Sequence, residues 1–175
     1  MAAASGALVA QLVPALPAGH GLRDRTEADL PFLCKLYAQT RDEELRPVPW
    51  TPQQKQDFLR DQFEKQHAHY LQHYPRAHWW MITRDGAPVG RLYVEQTASE
   101  LRIMDVSLVA ECRNRGLGGA LMRALLRHTD EQALAATLHV EPFNPALRLY
   151  ERLGFARVET RGVYYFMRRE PAALS

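Results

Sequence analysis

Val106-Ser-Leu-Val-Ala-Glu-Cys-Arg-Asn-Arg-Gly-Leu-Gly-Gly-Ala-Leu-Met122 decides the fold. Its first residues are mostly apolar, as in a buried strand. Gly116 and Gly118 then mark a turn, and Leu117, Ala120, Leu121, Ala124 and Leu125 follow on one helical face. The first N–H groups of such a helix lack intrahelical acceptors and sit at the positive end of its dipole. Glycine lets a ligand approach that backbone closely. The segment reads as an anion site, whose usual occupant is a phosphate or pyrophosphate. The same turn without a ligand would simply pack a helix on a sheet, and glycine spacing alone leaves both readings open.

Two other phosphate motifs fail on particular residues. A Walker loop needs Lys followed by Ser or Thr after its glycines, where this chain has Gly119-Ala120. A dinucleotide fingerprint needs a third Gly or Ala where Leu121 stands, and it opens the first strand–helix unit of a parallel sheet. Here the turn follows a meander. His78–Arg84 reads as a strand, Asp85-Gly86 as a hairpin turn, Val89–Gln96 as the return strand and Glu100–Val109 as a third.

Upstream, His20–Arg25 reads as a short strand. Thr26-Glu27-Ala28-Asp29 has the form of a helix cap, and Leu30, Leu33, Leu36 and Tyr37 continue at helical spacing to about Thr40. Residues 41–50, charged and broken by Pro47 and Pro49, read as a loop; Thr51-Pro52 opens a second helix that ends before Pro75. Downstream, a strand at 136–141, a helix at 145–153 closed by Gly154, and strands near 155–159 and 163–168 complete an α/β layout with a mixed sheet. Residues 1–19 hold no charged side chain and contain Pro14 and Pro17. They read as a weakly structured extension, with a helix docking on a neighbouring subunit as the alternative.

Composition bounds the rest. At roughly 150 residues per domain, 175 residues point to one domain. Lys and Arg number 22 against 20 Asp and Glu, a net charge of +2, too balanced for a nucleic-acid-coating protein. With 46% apolar and 24% charged residues, the chain has the mixture of a globular domain. No stretch approaches the ~20 apolar residues of a membrane span, and no basic n-region marks a signal peptide. Cys34 and Cys112 match neither a disulfide scaffold nor a zinc motif, which suits a reducing cytoplasm. His67, His69 and His73 lack a nearby acid to complete a metal set, so no metal is expected.

The second informative segment is Asn144-Pro-Ala-Leu-Arg-Leu-Tyr-Glu-Arg-Leu-Gly-Phe155. Asn144 suits a helix cap and Pro145 a first helical position. Ala146, Leu149, Tyr150 and Leu153 share a face, so Tyr150 reads equally as a core aromatic.

Taken together, Arg113-x-x-Gly116-x-Gly118 and Asn144-x-Ala-x-x-Leu-Tyr-Glu-x-Leu-Gly-Phe resemble the GNAT (GCN5-related) N-acetyltransferase family. The resemblance is specific over residues 100–169, extends in layout to His20 and does not reach residues 1–19. It implies the GNAT-type acyl-CoA N-acyltransferase fold, with a mixed central sheet of about seven strands flanked by about four helices. Residues 20–170 would form a single N-acetyltransferase domain.

The resemblance also implies that acetyl-CoA lies between two splayed strands, here 100–109 and 136–141. Val106, Ser107 and Leu108 match the backbone that pairs with pantetheine. Arg113 belongs to the turn motif, and Asn114, Arg115, Gly116, Leu117, Gly118 and Gly119 match the pyrophosphate loop. Asn144 matches a side chain that contacts the cofactor, and Tyr150 the acid that protonates the departing thiolate. An amine acceptor, with a pKa near about 10.4, must lose a proton before attack. Glu141 is the first candidate base, His139 the second, and Asp105 on the facing strand a third. Residues 41–50 would select the acceptor, Glu43 and Glu44 suiting a cation and Arg41 or Arg46 a carboxylate. The expected partners are a small amine or peptide acceptor, with no nucleic acid and no membrane; a homodimer is left open. A non-catalytic acyl-CoA-binding module, another acyl group and an O-acceptor are the competing functions.

Overall fold

In the computed structural model, which describes residues 2–174, seven strands form one sheet in the order β1-β2-β3-β4-β5-β7-β6. The strands are β1 (His20–Asp24), β2 (His78–Arg84), β3 (Ala87–Gln96), β4 (Glu100–Leu108), β5 (Ala135–Val140), β6 (Ala156–Arg161) and β7 (Tyr164–Arg169). Only β4 and β5 pair in parallel; every other neighbouring pair is antiparallel. The helices are α1 (Ala2–Leu12), α2 (Leu30–Leu45), α3 (Pro52–His73), α4 (Leu117–Glu131) and α5 (Leu147–Arg152). The mixed seven-strand sheet agrees with the fold expected from the sequence.

Each face of the sheet carries its own apolar layer. On one face α1 and α4 bury Leu8, Leu12, Leu121 and Leu125 against Leu92, Leu101, Ile103 and Leu138, and Tyr150 of α5 and the following Leu153 pack at its margin. On the other, α2 and α3 bring Leu33, Leu36 and Phe63 onto Met81. Helix starts follow the capping chemistry in the sequence. Thr51 Oγ1 accepts from Gln54 N at 3.1 Å while Gln54 Oε1 accepts from Thr51 N at 2.9 Å. Asp29 caps Thr26 and also takes two hydrogen bonds from Arg23, both 2.8 Å.

Two expectations are corrected. Residues 2–19 are not a loose extension, because Leu8, Leu12 and Leu16 lie four apart and are buried at 1%, 0% and 8% exposure, while Met1 lies outside the described residues. Their helix docks on α4 of the same chain, and Pro14 sits in the following 3-10 turn (Val13–Ala15), where its missing N–H costs nothing. Residues 41–45 are not loop but the last turn of α2, since the first proline comes only at Pro47. Leu45 is buried there, and Arg41 pairs with Glu44 one turn on.

A bulge positions the site. Along β3 and β4, Tyr93 faces Asp105 while Val94 faces Ile103, so Met104 is the extra residue. A bulge bends its strand and increases its twist. Pairing of β4 with β5 ends at Ile103 and Leu138, directly before it. From there β4 stays on β3 and β5 stays on β7, and the two parallel strands part.

Candidate active site

The second half of β4, including Val106, Ser107 and Leu108, pairs with β3 on one edge and has no strand on the other. Its backbone groups on that edge face the gap. Gly90 permits this approach: a Cβ there would lie 2.4 Å from Ser107 O, so a side chain would push β4 away. After β4 a 3-10 turn (Ala110–Cys112) leads to Arg113, whose Nε donates to Leu108 O at 2.9 Å and ties the loop to the strand end. The chain then takes left-handed conformations at Asn114 (φ 59°) and Gly116 (φ 82°) before α4. Among the described residues, no backbone N–H from Asn114 to Gly119 donates to a protein acceptor; the first N–H that does is Ala120, to Gly116 O at 2.9 Å. Space is open where Gly118 would carry a side chain. Unpaired amides at a helix start with room in front of them fit a pyrophosphate.

Tyr150 enters from α5 on the other side of the gap. Its ring packs against the core margin and sits 6.0 Å from Phe155 in an edge contact. Burial pushes its phenol up to about 12, helped by the negative charges of Asp105 and Glu141. The tyrosine therefore holds its proton throughout the ordinary pH range. Asn144 serves both neighbours: its Oδ1 accepts from Ala146 N at 2.9 Å and its Nδ2 donates to Glu141 Oε2 at 3.3 Å. That turn delays α5, which starts at Leu147 instead of at Pro145. Asn144 thus caps a turn that precedes the helix.

The candidate bases differ in their surroundings. Glu141 lies just beyond β5 and has Asn144 as its hydrogen-bond partner. His139 shares its face, opposite the buried Leu138 and Val140, and rests 5.2 Å from the Phe166 ring. Burial and then the nearby Arg102 and Arg161 charges lower its pKa, so the imidazole is neutral near pH 7. Asp105 is already engaged. Its Oδ2 accepts from Arg91 Nη2 at 2.6 Å, and its Oδ1 accepts from Ser107 Oγ. Both oxygens of the Asp105 carboxylate are thus taken by protein donors.

Sequence reasoning missed Arg91, a buried cation hidden in a strand of otherwise apolar character, which also donates to Gln66 Oε1 at 2.8 Å. It also missed Tyr164 of β7. Burial raises the Tyr164 phenol, and its charged and phenolic neighbours are Glu141, Tyr37, Arg41 and Glu44. Arg41 itself is not free to take a substrate carboxylate. Its guanidinium grips Glu44 through two bonds of 2.8 and 2.9 Å and donates to Tyr37 Oη at 2.7 Å.

A parallel strand pair that parts beside a run of unpaired loop amides defines an acyl-CoA N-acyltransferase type of fold. The chain matches the Acetyltransferase (GNAT) family over residues 38–155, and it belongs to that family. It is 37% identical over 106 residues to a mycothiol acetyltransferase of Corynebacterium glutamicum (strain R), covering 55% of this chain and 36% of that protein. The chain thus spans about a third of that relative's length. It is 27% identical over 129 residues to a Bacillus subtilis (strain 168) protein provisionally named as a ribosomal protein bS18-alanine N-acetyltransferase, covering 72% and 77% of the two chains. Among solved structures, PaiA N-acetyltransferase of Thermoplasma acidophilum in complex with coenzyme A superposes with a TM-score of 0.65 at 15% identity, over 86% of this chain and 98% of that one. Among the described residues, no helix is long and apolar enough to cross a membrane.

Proposed function

We propose that this chain transfers an acetyl group from acetyl-CoA directly to an amine held beside it in a ternary complex. The reading is supported by the edge of β4 that loses its partner strand after Ile103, by the unpaired amides of Asn114–Gly119 that follow β4, and by Tyr150, whose phenol feels the charges of both Asp105 and Glu141. Acetyl-CoA supplies the thioester acyl group. Asn114, Arg115, Gly116, Leu117, Gly118 and Gly119 hold its pyrophosphate, Arg113 braces that loop, and the open edge at Val106, Ser107 and Leu108 receives the pantetheine amides as an added strand would. An N–H of that edge stabilises the charge that develops on the acyl oxygen.

Glu141 takes the proton that the ammonium must lose, directly or through water, and His139 is the second candidate for that role. Tyr150 then donates its phenolic hydrogen to the departing sulfur. A thiol has a pKa of about 8.5, so a phenol at about 12 stabilises the thiolate mainly as a hydrogen-bond donor. The acceptor is a small-molecule or peptide amine, in keeping with relatives named for mycothiol and for a ribosomal protein alanine. The test is a panel of small amines, amino acids and peptides incubated with acetyl-CoA and followed by release of free CoA. Release with at least one amine is expected. Tight CoA binding with no release across the panel would favour a non-catalytic acyl-CoA-binding module.

A further inference from the structure

An open depression of about 330 Å³ lies beside α4 and the end of α5, lined by Arg123, Arg127 and Arg152 with Leu126, Leu153 and Asp130. Arg169 also borders it, but two bonds of 2.7 and 3.1 Å to Asp130 neutralise its charge. Among the described residues, Arg123, Arg127 and Arg152 make no ion pair and no side-chain hydrogen bond. Stability alone gives no reason for the arrangement. Arg123 and Arg127 are four apart on one helix, where like charges repel, and Arg152 adds a third. Three free guanidiniums around one concavity attract an anion with several acceptor oxygens, and the planar forks match a phosphate.

The depression continues the pyrophosphate turn. Gly119 is the last loop position assigned to that group, and Arg123 stands one helical turn farther along the same stripe of α4. Arg123 Nη1 lies 3.0 Å from the position a Cβ on Gly119 would occupy, so its guanidinium leans back over the helix start. A ligand whose pyrophosphate rests on Asn114–Gly119 therefore has its next groups beside Arg123. In coenzyme A those groups are adenosine and a 3′-phosphate monoester, which carries about −1.5 to −2 charge at pH 7.

We propose that Arg123 and Arg152, with Arg127 beside them, bind the 3′-phosphate of the CoA substrate and so distinguish it from 3′-dephospho-CoA. This rests on the acyl-CoA reading above and adds to it a second anion subsite, separate from the pyrophosphate turn. Leu126 and Leu153 offer an apolar surface to the adenosine.

Isothermal titration of the full chain with CoA and with 3′-dephospho-CoA tests the proposal without any acceptor. The two compounds differ only in that phosphate. The unmodified chain should bind dephospho-CoA about 10- to 100-fold more weakly, the effect of one or two charge-assisted hydrogen bonds. The double substitution Arg123→Ala with Arg152→Ala should bind both compounds alike, at the level of dephospho-CoA on the unmodified chain. Arg123→Lys with Arg152→Lys should recover part of the preference. All three side chains are exposed, so melting temperatures of the variants should match the parent. Equal affinity of the unmodified chain for the two compounds overturns the proposal, as does full discrimination by the double alanine variant. Failure to bind either compound would remove the acyl-CoA reading itself, and this subsite with it.

Discussion

Arg91 reaches across the β3–β4 pair to Asp105 at 2.6 Å, with side-chain exposures of 4% and 15%. The pair sits beside the Met104 bulge, at the point where β4 leaves β5. It holds the Asp105 carboxylate toward α3 and stiffens the strand half whose open edge faces the gap.

Removing one partner of such a pair leaves the other charged and buried. Arg91→Leu should therefore destabilise the fold by about 3–5 kcal/mol, measured by urea unfolding. A loss below 1 kcal/mol, well under that range, would mean that water reaches Asp105 and solvates it.

Tyr150→Phe separates a packing role from a chemical one, because it deletes only the hydroxyl. The variant should melt within a few degrees of the parent and bind CoA with unchanged Kd. Its kcat should fall by about 10²–10⁴-fold, toward the lower end, because the buried phenol stabilises the thiolate mainly through a hydrogen bond. Normal turnover in a CoA-binding variant would return Tyr150 to the core.

Gly118→Glu places a carboxylate in the open space before the unpaired amides. Gly118 lies in the first turn of α4, where an acidic side chain suits the helix dipole, so the fold should survive. The rise in melting temperature that CoA produces in the parent should disappear. A retained shift would move the pyrophosphate elsewhere.

The Arg23–Asp29 contact forecasts a pH dependence of stability. Hydrogen bonds from Arg23, then burial acting in opposition, and then the Thr26 N–H hold Asp29 at about 2, below its ordinary 3.8. A carboxylate whose folded pKa is depressed stabilises fully above its unfolded value and loses that contribution as pH falls toward the folded one. Stability should decline between pH 4 and about 2, and Asp29→Asn should flatten that part of the curve. An identical acid limb in the variant would assign the decline to other carboxylates.

Leu12 is fully buried between α1 and the core. Leu12→Ala should cost about 2–5 kcal/mol in thermal or chemical unfolding. A negligible change would mean that α1 leaves the sheet in solution.

The elements around the gap were legible in sequence because their signals are local. Asp85-Gly86 sets a hairpin, Thr51 and Gln54 close a capping box, and Gly116 supplies a left-handed residue where α4 must begin. Each is decided by a few neighbouring residues and their φ preferences, so a linear reading reaches it. The glycine turn and the Asn144–Phe155 segment were legible for the same reason, each as a local motif. What only the tertiary structure decided are the long-range choices. The docking of residues 2–16 depends on α4 offering an apolar face to Leu8 and Leu12, which nothing in the first segment specifies. The choice of base depends on which carboxylates are already paired, and Asp105 meets Arg91 only because a bulge sets β3 against β4 in that register. Arg123 and Arg152 are 29 positions apart, ordinary surface arginines until the fold brings them to the rim of one depression. Charge pairing and cavity shape depend on distances in space, and a chain written in order does not contain those until it folds.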